Sequence, residues 1–283
     1  MAGYSRRMGE VDAFSAFDLG GKYALITGGA SGLGAATADL MTNRGARVAI
    51  ADINMDAATD LARRLDGIAV QCDVTDSAQV RAAVETTVAK LGALDVMVNN
   101  AGIAPPPDND RFQKMVNNQM SRLDPSITAE PLDILVNLSD AVWDRMIRTH
   151  LYGVFYGTRE ALAHMTPRRT GSIINISSIL GMRPSASAPH YSVAKAGIIA
   201  LTKATSAEVS QFGVRINAVC PGYTDTPLLG HYSEMMRSVI VSQIGMGRMG
   251  VSDEIAQVIA FLASPAASYC TGEVFSASGG YLA

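Results

Sequence analysis

The feature that most constrains this chain is the regular alternation of short apolar runs with amphipathic segments from Lys22 onward. YALIT (Tyr23 to Thr27) reads as a strand, and GGASGLG follows it directly, opening a helical segment to about Arg44. RVAIAD is a second strand ending at Asp52. A helix around Asp56 to Leu65 leads to a third strand, Ile68 to Asp73. A further helix starts at Ser77, with Asp76 as its cap, runs to about Leu91 and precedes the strand DVMVNN, Asp95 to Asn100. Repeated strand–helix–strand units predict a parallel sheet with helices on both faces. No linker or short repeat divides the chain. Residues 22–283 are therefore expected to form one doubly wound α/β domain of Rossmann type, a single central parallel sheet behind a polar N-terminal tail over 1–21.

Directly after the first strand, Thr27, Gly28, Gly32 and Gly34 spell T-G-x-x-x-G-x-G. Glycines between a strand and a helix permit a tight turn and let the backbone approach a pyrophosphate at the helix N-terminus. Close packing of helix on strand is the plainer use of the same glycines. Asp52, ending the second strand, stands where a carboxylate meets an adenosine ribose. Ile53 and Asn54 follow it, and the glycine loop holds no lysine or arginine. A carboxylate there repels a 2′-phosphate, so NAD is expected rather than NADP.

Chemistry concentrates in Gly171 to Ala204, GSIINISSILGMRPSASAPHYSVAKAGIIALTKA. It reads as a buried strand, Ser172 to Ile176, then the pair Ser177 and Ser178, a loop broken by glycine and proline, and a helix opening at Tyr191. Lys195 lies four positions on, so phenol and ammonium share one helix face. A cation beside a phenol favours the phenolate and lowers its pKa from about 10. That pairing suits acid–base work on an alcohol or a carbonyl. The bland reading is an interfacial tyrosine and a solvated lysine.

Charged residues make up 17% of the chain and the net charge is −3, which leaves no basic footprint for nucleic acid. The longest apolar runs, such as Ile198 to Leu201, fall far short of a membrane span. Cys72, Cys220 and Cys270 lie far apart without metal-ligand spacing, consistent with a reduced cytoplasmic protein. The opening MAGYSRRMGEVDAF holds a twin arginine with no apolar segment after it, so a secretory signal is not expected.

With Asn99-Asn100-Ala101-Gly102, the segments TGGASGLG, Ser178 and YSVAK resemble the short-chain dehydrogenase/reductase family, in its single-domain subfamily. RINAVCPGYTDT, the glycines Gly247 to Gly250, FLAS, TGEV and Gly279-Gly280 follow in the family's order, so the likeness runs from about Lys22 to the end. The resemblance implies a nicotinamide dinucleotide held by Gly28, Ser31, Gly32, Leu33 and Gly34, and by Asp52, Asp73 and Val74. Further along it implies Asn99, Ala101 and Gly102, Pro221, Gly222, Thr224 and Thr226, together with Tyr191 and Lys195. Asp73 is expected near the adenine and Asn99 is expected to steady the sheet beside the cofactor, although Asn99 can equally satisfy backbone groups at a strand end. Ser178, selected over Ser177 by the family's spacing to the tyrosine, completes the catalytic group.

Two departures from the family stand out. WDRMIRTHLYG places His150 where the family carries an asparagine that holds a proton-carrying water chain. A histidine with a reference pKa near 6.5 can continue such a relay or simply fill the space. The second departure is an insertion of roughly two dozen residues, at about Pro105 to Pro131, in a connection that compact domains keep short. Within it FQKMVNNQMSRL suggests a short helix with Phe112, Met115 and Met120 inward. The insertion is expected as a flap over the substrate entrance, or alternatively as a subunit contact.

After the sixth strand, Arg215 to Cys220, the segment TPLLGHYSEMMRSVIVSQIGMG is rich in leucine and methionine. It suggests a lid over an apolar substrate, with Leu228 and Tyr232 as substrate contacts; an ordinary packed helix is the alternative. His190 and His231 have no metal-ligand partners in sequence, and no metal is expected. The implied activity is NAD-dependent oxidation of a secondary alcohol, or reduction of its ketone, on an alicyclic, aromatic or steroid-like molecule. Ser178, Tyr191 and Lys195 would act, with His150 behind them. A ketoreductase of carrier- or CoA-linked substrates and a non-catalytic nucleotide-binding scaffold are the alternatives. The resemblance further implies a homo-oligomer, tetramer or dimer.

Overall fold

A computed structural model describes residues 15–105, 108–230 and 232–281. Most of the expected tail, Pro106, Pro107 and His231 lie outside the described residues. The strands of the main sheet are β1 (Tyr23–Thr27), β2 (Arg47–Asp52), β3 (Ile68–Gln71), β4 (Val96–Asn99), β5 (Gly171–Ile176) and β6 (Val214–Pro221). Two short strands, β7 (Thr224–Asp225) and β8 (Gly250–Val251), pair with each other, and β9 (Val274–Ala277) closes the main sheet. The main sheet is parallel throughout, in the order β3-β2-β1-β4-β5-β6-β9. This is the doubly wound α/β fold that the alternation predicts.

Ten α-helices accompany these strands among the described residues. They are α1 (Gly32–Asn43), α2 (Met55–Arg64), α3 (Ser77–Leu91), α4 (Asn109–Met120), α5 (Asp140–Ile147), α6 (Gly153–Arg168), α7 (Ile179–Met182), α8 (Pro189–Val209), α9 (Glu234–Ser242) and α10 (Ser252–Ala263). Side chains alternate across each strand, so β1 sends Ala24 and Ile26 toward Met41 of α1 and Ile259 of α10. Leu25 goes to the opposite core, with Val84 of α3 and Met165 of α6. Burial on both faces is why these strands read as unbroken apolar runs. The chain winds one way from β1 through β2 to β3 and the other way from β4 onward. This reversal between β1 and β4 opens a crevice at the carboxyl ends of the strands.

The structure moves several expected boundaries. Leu19 is 0% exposed and its amide donates to the Arg44 carbonyl at 2.8 Å, so the packed domain begins before Lys22. β3 stops at Gln71, leaving Cys72 and Asp73 in the turn at the sheet edge. α8 starts at Pro189, two residues ahead of Tyr191; proline is well suited to a first helical turn, where no amide partner is needed. Between α5 and α6 the residues Arg148–Tyr152 form a π-helical turn, a widening often found at functional sites.

The inserted segment does contain a helix, α4. Asp108 caps it by accepting from the Arg111 amide at 2.8 Å. Its far side is tied down by Asn118, which accepts from the Glu130 amide at 2.8 Å, and by the Lys114–Glu130 ion pair at 3.0 Å. Phe112 and Met115 face inward as expected. Met120 does not: it is 48% exposed, and Leu123 beyond it is 83% exposed.

Candidate active site

The carboxyl ends of β1, β2, β4, β5 and β6 converge on one cavity of about 660 Å3. On its nucleotide side the glycine turn is stitched to the end of β4. Thr27 Oγ1 accepts from the amides of Asn100 and Ala101 at 3.1 and 3.3 Å, and Asn100 Nδ2 donates to the Gly28 carbonyl at 2.9 Å. Gly28 holds φ +60°, and a Cβ there would lie 2.7 Å from the Ala101 Cα, so both its conformation and its clearance demand glycine. Ser31 stands at the N-cap of α1 without making a side-chain capping bond, and the first turn carries no acidic residue. The leading amides of α1 are therefore free donors at the positive end of a helix, with Ser31, Gly32 and Leu33 lining the cavity. These donors fit the pyrophosphate of a dinucleotide.

Asp52 holds the other side of this turn. Its carboxylate accepts from the Ala30 amide at 3.0 Å and the Asn54 amide at 2.9 Å, and it faces the cavity alongside Ile53. Asp73, Val74, Ala101, Gly102, Pro221, Gly222, Thr224 and Thr226 also line the cavity. Two expected contacts do not. Asn99 is turned under the sheet, its Nδ2 donating to Asn175 Oδ1 at 2.8 Å and Thr158 Oγ1 at 3.2 Å, and its neighbour Asn100 reaches the cavity instead. Gly34 lies beneath the turn, where a Cβ would run into the Gly28 carbonyl, so its role is close packing of α1 on β1.

The reacting groups gather where β5 ends. Ser178 caps α7, its Oγ accepting from the Leu180 amide at 3.1 Å, and it shares a hydrogen bond with the Tyr191 hydroxyl. Ser177 is committed elsewhere, donating to the Lys195 carbonyl at 2.7 Å. Lys195 is buried, with its Nζ 5.6 Å from the Tyr191 ring centroid and donating to the Ile176 carbonyl at 2.8 Å. Burial dominates both pKa values. It drives Tyr191 up to about 12, only partly offset by the Ser178 bond, and Lys195 down to about 7. The expected lowering of the tyrosine by its lysine is thus overridden by desolvation.

His150 sits in the π-helical turn, 1% exposed, its ring edge-on to Tyr191 with centroids 5.2 Å apart. Nε2 lies 3.1 Å from the Ile103 amide and 2.9 Å from the Ile103 carbonyl, while buried Nδ1 has no partner among the described residues. Burial first, and then the charge of Lys195, hold its pKa well below the usual 6.5. The depressed pKa favours the neutral imidazole near neutrality, so a relay through His150 would pass through an uncharged ring. His190, also buried, has neither ring nitrogen bonded among the described residues.

Leu228 and Tyr232 form the apolar mouth, joined by Ile103, Pro105 and Tyr223. Sequence reasoning missed Tyr223, Asn100, Arg145 and Thr149 as lining residues. Arg145 and Thr149 did carry a signal, since they are spaced i, i+4 and Thr149 directly precedes His150. Cys72 lines the cavity as well, but burial and the nearby Asp73 and Asp52 push its thiol up to about 12, which removes it as a nucleophile.

The short chain dehydrogenase family profile matches residues 22–237. The chain belongs to the short-chain dehydrogenase/reductase family. Cis-4-hydroxycyclohexanecarboxylate dehydrogenase of Sinomonas cyclohexanicum is 39% identical over 267 residues, covering 93% of this chain and 97% of that one. The 3-oxoacyl-(acyl-carrier-protein) reductase FabG of Thermotoga maritima is 37% identical over 267 residues, at 93% and 98% coverage. Among solved structures, a short-chain type dehydrogenase/reductase from Mycobacterium marinum superposes with a TM-score of 0.81 at 30% identity, covering 95% of this chain and 98% of that one. As a short-chain dehydrogenase/reductase the chain is an oxidoreductase using a nicotinamide cofactor, which agrees with the free amides of α1.

Proposed function

We propose that this chain interconverts a secondary alcohol and its ketone with NAD(H), acting on an alicyclic or otherwise apolar ring substrate. The observation that carries the reading is the convergence of the Ser178 and Tyr191 hydroxyls and the Lys195 ammonium in the cavity that the glycine turn and Asp52 share. When bound, the nicotinamide supplies the hydride acceptor. The remaining work falls to the chain. Gly28, the α1 amides and Asp52 hold the dinucleotide, and Asp52 favours free ribose hydroxyls over a 2′-phosphate. Ser178 holds the substrate oxygen. In oxidation the carbinol hydrogen leaves as hydride, Tyr191 takes the hydroxyl proton and the C–O bond becomes a carbonyl. In reduction the neutral phenol, which burial favours, returns that proton.

Apolar walls at Leu228, Ile103 and Pro105 support a ring substrate, as does similarity to an enzyme named for a hydroxycyclohexanecarboxylate. A second reading, reduction of a carrier- or CoA-linked ketone, is favoured by similarity to the T. maritima reductase and would use the same residues in reverse. We also propose self-association through the π-helical turn, α6 and α8, where Tyr152, Phe155 and Val193 are exposed. The deciding assay follows reduced nicotinamide across cyclohexanols, cyclohexanones and 3-oxoacyl thioesters, with NAD(H) and NADP(H). Turnover of ring alcohols with NAD is expected. Turnover confined to thioesters with NADPH would replace this reading by the second.

A further inference from the structure

A second cavity of about 350 Å3 adjoins the first and shares with it Pro105, Ser187, Ala188, Tyr223 and Tyr232. The inserted helix α4 walls one side of this annex with Phe112, Met115 and Val116; α9 walls the other with Met236, Val239 and Ile240. The shared residues also line the chamber of Ser178 and Tyr191, so the annex lies directly beside the reacting groups. A reacting ring bound there would direct any far substituent into the annex.

The rim of the annex is charged. Arg111 is matched by Asp108 at 3.3 Å. Arg183, which lines the annex just after α7, forms no ion pair among the described residues. Its guanidinium instead lies 5.8 Å from the centroid of Tyr281, which packs edge-on against Tyr223 at 5.4 Å. The stacking holds an unmatched cation in a cavity whose α4 and α9 walls are apolar, a disposition suited to an anion carried at the end of an apolar group.

We propose that the annex is a substrate subsite, taking an apolar substituent of the alcohol that ends in a carboxylate or similar anion paired with Arg183. This deepens the dehydrogenase reading and rests on it for the identity of the reacting end. The specificity then lies in a segment that supplies no reacting group.

The test compares kcat/KM for cyclohexanol, 4-phenylcyclohexanol and 4-(4-carboxyphenyl)cyclohexanol in the parent protein, Val116→Trp and Arg183→Met. Calorimetric binding of 4-cyclohexylbenzoate to the NADH complex runs in parallel. Filling the annex in Val116→Trp should lower kcat/KM for both tailed alcohols at least tenfold relative to cyclohexanol, the scale on which apolar pockets discriminate. Arg183→Met should remove the advantage of the carboxylated alcohol over the phenyl alcohol and weaken 4-cyclohexylbenzoate at least tenfold. Equal parent values for the two tailed alcohols would overturn the anionic assignment. Tail discrimination unchanged by Val116→Trp would overturn the subsite while leaving the dehydrogenase reading in place. Conversely, no turnover of any alcohol, with 4-cyclohexylbenzoate bound and displaced by Val116→Trp, would reject that reading and keep the annex.

Discussion

The imidazole of His150 occupies the space that a side chain at Gly102 would need: a Cβ on Gly102 would fall 2.5 Å from its Cε1. The backbone after β4 and the π-helical turn thus meet without clearance. Gly102→Ala should cost about 1–3 kcal/mol of stability, the usual penalty for overpacking. Chemical denaturation of Gly102→Ala, His150→Ala and the double variant checks this. The double variant should recover part of the Gly102→Ala loss, because the obstructing ring is gone. Strictly additive losses would remove the contact as the cause.

His150 also sets a pH dependence. Its folded pKa lies below the unfolded value, so the unfolded chain binds the proton first. Stability is then full above about pH 6.5 and falls as pH drops below it, by at most about 1.4 kcal/mol per pH unit for each such group. His190, also lowered by burial, acts in the same direction, whereas Lys195 at about 7 changes mainly above this window. Urea midpoints at pH 7.5 and 5.5 should show a smaller acid loss in His150→Asn than in the parent. An identical loss would place the titration elsewhere.

Tyr191→Phe keeps the ring and removes the transferable proton. Turnover should fall by about 10²–10⁴-fold, the range for a lost general acid–base group. NADH affinity, followed by fluorescence, should stay within a few-fold. Substantial residual turnover would remove Tyr191 from the acid–base role.

Ketone reduction requires the proton on Tyr191 and the charge on Lys195. With Lys195 near 7, kcat/KM for reduction should decline as pH rises above neutrality, while alcohol oxidation, which must unload the phenol, should increase. Parallel profiles for the two directions would contradict this.

NAD should exceed NADP in kcat/KM, and Asp52→Asn should narrow the gap by removing repulsion of a 2′-phosphate. The substitution also leaves Asn54 and Ala30 amides opposite a neutral amide group, so NAD use should weaken as well. A native preference for NADP would show that another cation overrides the carboxylate.

Much of this architecture can be read before folding. β1, β2, β4 and β5 are buried on both faces, so their apolar runs are continuous, and Asp76 was recognisable as the cap of α3, where its Oδ1 accepts from the Ala78 amide at 2.8 Å. The serine–tyrosine–lysine group was legible through resemblance. The pKa values were not, because desolvation belongs to the packed state and not to the spacing of Tyr191 and Lys195. The π-helical turn at Arg148–Tyr152 differs from α-helix only in hydrogen-bond register, which composition does not encode. Asn99 does tie β4 to β5 through Asn175, as a residue that steadies the sheet, while the cavity-lining Asn100 one position on was not singled out because side chains alternate at the end of β4. The outward Met120 reflects the imperfect spacing of its helix face.

The Ser177 hydroxyl bonded to the Lys195 carbonyl fastens α8 to the end of β5 from behind. Gly181 of α7 packs so closely on that same peptide unit that a Cβ would lie 2.7 Å from the Lys195 carbonyl carbon. The spacing of Ser178, Tyr191 and Lys195 is therefore fixed by the sheet and by α7. The facing walls, α4 and α9, are hung on loops outside that clamp. On the proposed subsite, reactivity and selectivity are carried by separable parts of the chain. Exchanging the inserted helix would retune which molecule is accepted while the proton-transfer geometry stays put, a favourable starting point for directed evolution of new substrates.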